Sequence, residues 1–119
     1  MRQMSDGINY EQRDIVLLPF PYSDLAGAKQ RPALIISNQR LNRTEDRICC
    51  LITSNAPIDG LILANADFVR GSLPFQSWVK PQRLFTVNRR IIRKKLCSVT
   101  PSFHGKVLRA LEKYTETEI

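Results

Sequence analysis

Arg31 stands immediately before Pro32 and the apolar run Ala33-Leu34-Ile35-Ile36. Proline disfavours helical backbone in the residue before it and pushes that residue into an extended conformation. Arg31 is therefore expected at the rigid mouth of a strand, where a guanidinium can be aimed at an anion. The planar fork of arginine grips a phosphate with two parallel hydrogen bonds. On the residue alone, a plain surface arginine at a strand entrance explains the pattern as well. A second cationic feature is the run Arg89, Arg90, Arg93, Lys94 and Lys95, the densest basic stretch of the chain. It could track a nucleic-acid backbone, receive an acidic protein tail, or be a solvated face near a turn. Phe20, Tyr22 and Trp78 are aromatic candidates for stacking unpaired bases, with Phe20 and Trp78 better suited to a core. His104, the single histidine, follows Phe103 at the start of an expected helix, where packing suits it better than proton transfer.

These side chains need a frame, and apolar patterning supplies one. The apolar runs 15–18 and 33–36 flank a segment rich in Pro, Asp, Gly and Lys. Such runs, bounded by turn formers, read as buried strands. Strands are expected over 14–19, 33–37, 47–54, 61–64, 78–87 and 94–99. Pro19 and Pro21 lack an N–H and should end the first strand, and Pro81 argues for an edge or a bulge in the fifth. The connection 19–32 is too long for a tight hairpin, which marks it as functional or disordered; within it, residues 22–27 carry turn chemistry, with Gly27 the position for positive φ. Residues 38–46 read as a turn or a single helical turn, 56–60 and 88–92 as turns, and 65–77 as a second long loop. One helix is clear: Thr100 suits its cap and Pro101 its first position. Phe103, Val107, Leu108, Leu111 and Tyr114 then form an apolar stripe, opposite Lys106, Arg109, Glu112 and Lys113. Residues 1–12 are polar and aperiodic, an expected flexible arm; residues 13–119 make a single domain. Many short strands and one terminal helix imply a mainly β protein, a small barrel or curled sheet with a docked helix.

Composition narrows the partners. A chain of 119 residues with 43% hydrophobic residues is one globular domain. Eighteen Lys and Arg against eleven Asp and Glu give a formal charge of +7, and the sequence pI is near 9.8. That balance suits a polyanion, an acidic protein partner, or an ordinary basic protein. Cys49, Cys50 and Cys97 form no Cys-x-x-Cys pair, so buried thiols are expected and neither metal nor cofactor is. No apolar stretch reaches the roughly 20 residues of a membrane span, and the N-terminal segment lacks the apolar centre of a signal peptide. A cytoplasmic location without membrane contact is expected.

Residues 13–37, RDIVLLPFPYSDLAGAKQRPALIIS, resemble the opening of the MazF/PemK family of toxin endoribonucleases from type II toxin–antitoxin pairs. Leu51-Ile52-Thr53-Ser54 and the stretch from Trp78 through Lys80-Pro81-Gln82-Arg83 to Val87 are similar to two further blocks of that family, in the same order. Arg13 stands where the family commonly has glycine. The resemblance implies the SH3-like barrel of the MazF/PemK/CcdB type with a C-terminal helix, a homodimer, and a cognate antitoxin whose partly disordered tail blocks the cleft and whose complex with the toxin binds DNA. It also implies cleavage of single-stranded RNA at short motifs without a metal, leaving a 2′,3′-cyclic phosphate and a 5′-OH.

The resemblance carries its site onto particular residues. The active arginine before the second strand falls on Arg31, and the threonine ending the third falls on Thr53. A catalytic Arg and Asp in some relatives correspond to Lys80 and Gln82; lysine neutralises phosphate without a fork, and glutamine is no general base. The expected catalytic residues are thus Arg31, Thr53 and Lys80, with substrate held by Ser23, Asp24, Lys29, Gln30, Ser54, Gln82 and Arg83. Two other readings stay open: a non-catalytic toxin of this fold that poisons gyrase, and an RNA-binding barrel without activity.

Overall fold

The computed structural model describes residues 9–20 and 29–119. The turn expected over 22–27, including Tyr22, Ser23, Asp24 and Gly27, lies outside the described residues, as do Pro21 and residues 1–8. Among the described residues there are seven strands: β1 (Asp14–Phe20), β2 (Lys29–Ile35), β3 (Asp46–Thr53), β4 (Leu61–Ile62), β5 (Phe68–Arg70), β6 (Trp78–Asn88) and β7 (Lys94–Val99). They form a single sheet in the order β4-β6-β3-β2-β1-β7-β5, with every neighbouring pair antiparallel. Helix α1 (Gln39–Asn42) is the single turn expected between β2 and β3, and α2 (Pro101–Thr115) follows β7.

Successive side chains of a strand point to opposite faces, and the apolar runs fill both. Ile15, Leu34, Cys50, Ile52, Val79, Cys97 and Val99 join Phe103 and Val107 of α2 in one core cluster. Val16, Leu18, Phe20, Ala33, Ile35 and Cys49 join Tyr10 and Ile92 in a second, on the opposite face. The sheet curls around this second cluster. Strands β1 and β6 are separated by β2 and β3, about 14 Å on a flat sheet, yet the rings of Phe20 and Phe85 meet edge to face at 4.8 Å. Full burial of each such side chain stabilises the fold by about 1.5–3 kcal/mol, so the β1–β2–β3 centre is the rigid part of the molecule.

Several strand ends differ from the sequence expectation. Pro19 does not stop β1, because it pairs with Gln30, and Phe20 pairs with Lys29. Pro32, likewise, lies inside β2 opposite Leu17. The two prolines occupy alternate pairs of the same ladder, which suits non-hydrogen-bonded positions that need no N–H. On their other sides the β1–β7 ladder reaches only Leu17 and the β2–β3 ladder begins at Ala33. Strand β2 therefore starts at Lys29 rather than at residue 33, and Lys29, Gln30 and Arg31 belong to a strand and not to a loop. Apolar runs mark where a strand is buried; pairing continues past them.

Strand β5 falls inside the expected loop 65–77. It is a short edge strand with an irregular register against β7, too brief to show a period. Strand β4 flanks β6 only at Trp78 and Val79, so from Lys80 onward β6 is paired with β3 alone, an edge as Pro81 suggests. A bulge forms there as well: Leu51 pairs with Lys80 and Cys50 with Leu84, so Pro81, Gln82 and Arg83 drop out of the ladder.

Helix α2 is capped as its sequence dictates, the Thr100 hydroxyl accepting from Phe103 N at 3.1 Å. Phe103, His104 and Val107 are its buried residues. Leu108 and Tyr114, expected in the buried stripe, are exposed, Tyr114 by 55%; Val107 before Leu108 and Leu111 after it still meet the core, so Leu108 lies at the margin of the buried stripe and Tyr114 beyond its last contact. The chain before β1 is also better held than its composition suggests. Tyr10 is 7% exposed within the second cluster, and Arg47 donates to its carbonyl from Nε at 2.8 Å. Arg13 has φ +81°, the left-handed backbone that glycine adopts without cost. It is held there because Arg13 N donates to Ile35 O and Arg13 O accepts from Val99 N, both at 2.9 Å.

Candidate active site

Register, not loop conformation, assembles the candidate residues. Ala33 of β2 pairs with Leu51 of β3, and on the other side of β3 Leu51 pairs with Lys80 and Thr53 with Trp78. The β2–β3 ladder stops at the Ala33–Leu51 pair; Arg31 and Thr53 each lie two residues past it, on the same face of their strands. Arg31 itself pairs with Leu18 of β1. Cross-strand partners share a face, so Arg31, Thr53 and Lys80 stand together on the face opposite α2. Lys29 shares that face from the next position but one, opposite Phe20. Gln30 points to the other face, so it does not join the cluster.

Thr53 Oγ1 accepts from Asn55 N at 3.1 Å. One lone pair of the hydroxyl is thus engaged, and among the described residues its hydrogen has no acceptor. A hydroxyl so oriented is ready to donate to an anionic oxygen. Arg31 is half-buried and among the described residues makes no hydrogen bond or ion pair. A guanidinium held on a regular strand with its donors unused is preorganised for an anion, the condition under which such donors stabilise developing charge. Lys80, also half-buried, adds a point charge one position nearer the centre of the same sheet face.

The remaining expected residues are dispersed. Ser54 is exposed past the end of β3, and Gln82 and Arg83 are exposed in the β6 bulge, where strand alternation assigns them to neither face. Ser23 and Asp24 lie outside the described residues. The basic run is largely engaged: Arg89 and Arg90 approach Glu45 at 3.4 and 3.3 Å, and Lys95 approaches Asp14 at 3.6 Å. His104 is buried with Nε2 3.2 Å from Ile36 O, tying α2 to the end of β2. Among the described residues no three of His, Cys, Asp and Glu gather where a metal could be held, and no helix is long and apolar enough to cross a membrane.

An apolar cavity of 320 Å³ is lined by Leu18, Phe20, Phe85, Val87 and Ile91 with neighbouring backbone. It shares Leu18, the cross-strand partner of Arg31, and so adjoins the cationic cluster. Trp78, named among the stacking candidates but judged better suited to a core, belongs among the described residues to neither apolar cluster and stands beside Thr53. Counting residues inward from each strand end would have aligned the two only with the register known.

A curled antiparallel sheet with a terminal helix, carrying on the face opposite that helix cations and a hydroxyl whose donors are unused among the described residues, defines a small basic protein with a site suited to an anion. Residues 11–115 match the sequence profile of the PemK-like, MazF-like toxins of type II toxin–antitoxin systems, and the chain belongs to that family. No curated protein sequence matches it significantly. Among solved structures, an endoribonuclease from a mycobacterial species is 19% identical with TM-score 0.72, over 97% of this chain and 99% of that one. A mycobacterial endoribonuclease in complex with its cognate antitoxin is 21% identical with TM-score 0.70, over 93% and 97% of the two chains. MazF in a MazE–MazF crystal structure from Deinococcus radiodurans is 20% identical with TM-score 0.70, over 93% and 99%. These likenesses establish the curled-sheet fold of the family.

Proposed function

We propose that the protein is an endoribonuclease toxin that cleaves single-stranded RNA at short motifs without a metal ion. The observation that carries this reading is the cluster of Arg31, Thr53 and Lys80 on one face of three adjacent strands. In the proposed reaction the 2′-oxygen attacks the adjoining phosphorus and the bond from phosphorus to the 5′-oxygen breaks. The 2′-hydroxyl passes its proton to solvent water and the leaving 5′-oxygen takes one from solvent, giving a 2′,3′-cyclic phosphate and a 5′-OH. Arg31 grips the non-bridging oxygens and stabilises the charge that builds on them, Thr53 donates its hydroxyl to one of them, and Lys80 adds positive potential. Lys29 guides the RNA backbone, together with Ser54, Gln82 and Arg83 at the margins and Ser23 and Asp24 from the connection between β1 and β2. The toxin acts in the cytoplasm as a homodimer and is silenced by a cognate antitoxin; the structurally similar endoribonuclease held by its antitoxin supports that partner.

The test is incubation with a long single-stranded RNA in EDTA, beside Arg31→Ala and Thr53→Ala. Discrete fragments ending in cyclic phosphate, lost in both variants, are the expected result. RNA bound but left intact by the wild type would favour the non-cleaving alternative, for which the exposed Gln82, standing where some relatives have Asp, is the supporting observation; gyrase inhibition would then be assayed.

A further inference from the structure

The sheet face that carries Arg31 and Thr53 continues across β6 and β4. Trp78 of β6 is the cross-strand partner of Thr53, and Ile62 of β4 is the partner of Trp78. Partners of this kind hold their Cβ atoms about 4.5–5.5 Å apart on a common face, so the indole is rooted beside the Thr53 hydroxyl. Its root is fixed: a Cβ added at Gly60 would stand 3.2 Å from the Cβ of Trp78, which shows the turn before β4 pressed against it. The ring is nevertheless only half-buried, and Ile62 beyond it is 52% exposed. Lys80 lies two residues along on the same face, paired with Leu51.

A rigidly rooted, incompletely covered indole on a face that also carries cations matches the way single-stranded RNA is held, with phosphates met by charge and bases laid on flat rings. An apolar protein segment would gain nothing from Lys80 two residues along the strand and Arg31 two strands across the same face. We propose that Trp78 is the stacking platform for the nucleobase adjoining the scissile phosphate, and so a residue that determines substrate affinity and choice. The proposal rests on the ribonuclease reading above. Stacking requires no particular base, since every base has a π-face; selection among bases follows from ring size and from what Ile62 leaves open.

Trp78 is the only tryptophan of the chain, so its emission reports on the site directly. Titration of the wild type with a 2′-deoxy-substituted, uncleavable oligomer is expected to quench the emission saturably. A sugar–phosphate oligomer without bases is expected to leave it unchanged. In cleavage assays Trp78→Leu is expected to lower kcat/KM about tenfold, chiefly through KM, with Trp78→Phe recovering most of the loss. A protein that cleaves RNA but shows no base-dependent quenching, or a Trp78→Leu variant with unchanged kcat/KM, overturns the platform and leaves the nuclease standing. Quenching by the oligomer in a protein that cleaves nothing supports the platform and overturns the nuclease reading. Neither quenching nor cleavage overturns both and leaves the ring to a protein contact.

Discussion

Arg31 and Thr53 stand on the same face of adjacent strands, each two residues beyond the Ala33–Leu51 pair. Their shared face is a consequence of one register between β2 and β3. A slip by one residue would turn either side chain to the opposite face. The buried pairs Leu34–Cys50 and Ile35–Cys49 prevent that slip, so the same core contacts that stabilise the sheet also hold the two polar groups together.

That geometry predicts coupling. Arg31→Ala and Thr53→Val should each reduce RNA cleavage by about 10²–10³-fold, the range for loss of one preorganised donor to a developing oxyanion. The double variant should lose far less than the product of the two, because groups acting on one phosphate act as a unit. Single-turnover rates on a short RNA check this; multiplicative losses would place the residues in separate steps. Arg31→Lys, which keeps charge but not the fork, should fall between wild type and Arg31→Ala.

Arg47 is 4% exposed and donates to the carbonyls of Tyr10, Thr44 and Asp46 at 2.8–2.9 Å. Burial draws its pKa below the ordinary arginine value, and the nearby Arg89 cation acts in the same direction. Arg47→Met would leave these carbonyls without their donor. A loss of about 2–4 kcal/mol, read as a fall in Tm of about 10 °C or more, is expected, with faster proteolysis around Tyr10. An unchanged Tm would mean the N-terminal segment is held by packing alone.

At Arg13 the left-handed backbone costs a non-glycine residue about 1–2 kcal/mol. Arg13→Gly removes that strain but also removes the Nη1 donation to Val99 O at 3.0 Å and loosens the unfolded chain. Denaturant melts should therefore show a change within about 1 kcal/mol for Arg13→Gly. Arg13→Val, branched at Cβ, should lose about 2 kcal/mol or more.

The thiols should be inert in the folded protein. Burial raises Cys49 and Cys50 to about 12, with Cys50 reinforcing the shift at Cys49, and burial followed by the charge of Asp14 raises Cys97 to about 11. A disulfide reagent at pH 8 should find almost no thiolate until the protein is unfolded, when all three react. The linkage has a definite sign. Above pH 9 the unfolded thiols lose protons that the folded ones keep, so stability falls as pH rises from about 9 towards 12. Urea midpoints at pH 8 and 10 check the direction.

Much of the frame was legible because its signals are local. Thr100 and Pro101 start α2 through one capping bond and one fixed dihedral, which need no partner strand. The runs 15–18 and 33–36 announce buried strands by composition. Arg31 drew notice through Pro32, and the family motifs supplied its expected role along with that of Thr53. Where the reading failed, the information was non-local. Pro19 looked like a terminator because its tolerance depends on β7 ending at the level of Leu17. Strand β5 is too short for periodicity, and Leu108 lies at the margin of a stripe whose buried members, Phe103, Val107 and Leu111, are chosen by where the sheet meets the helix.

The amino-acid sequence by itself determined the strand-forming segments, the capped helix, the basic surface and the family to which the chain belongs. Only the tertiary structure decided that Arg31, Thr53 and Trp78 share one sheet face, that the bulge at Pro81 removes Gln82 and Arg83 from it, and that Glu45 and Asp14 engage much of the basic run. The division has a physical cause. Dihedral preference and hydrophobic period act within a few residues, whereas cross-strand register is set by the simultaneous burial of side chains from segments far apart in the chain.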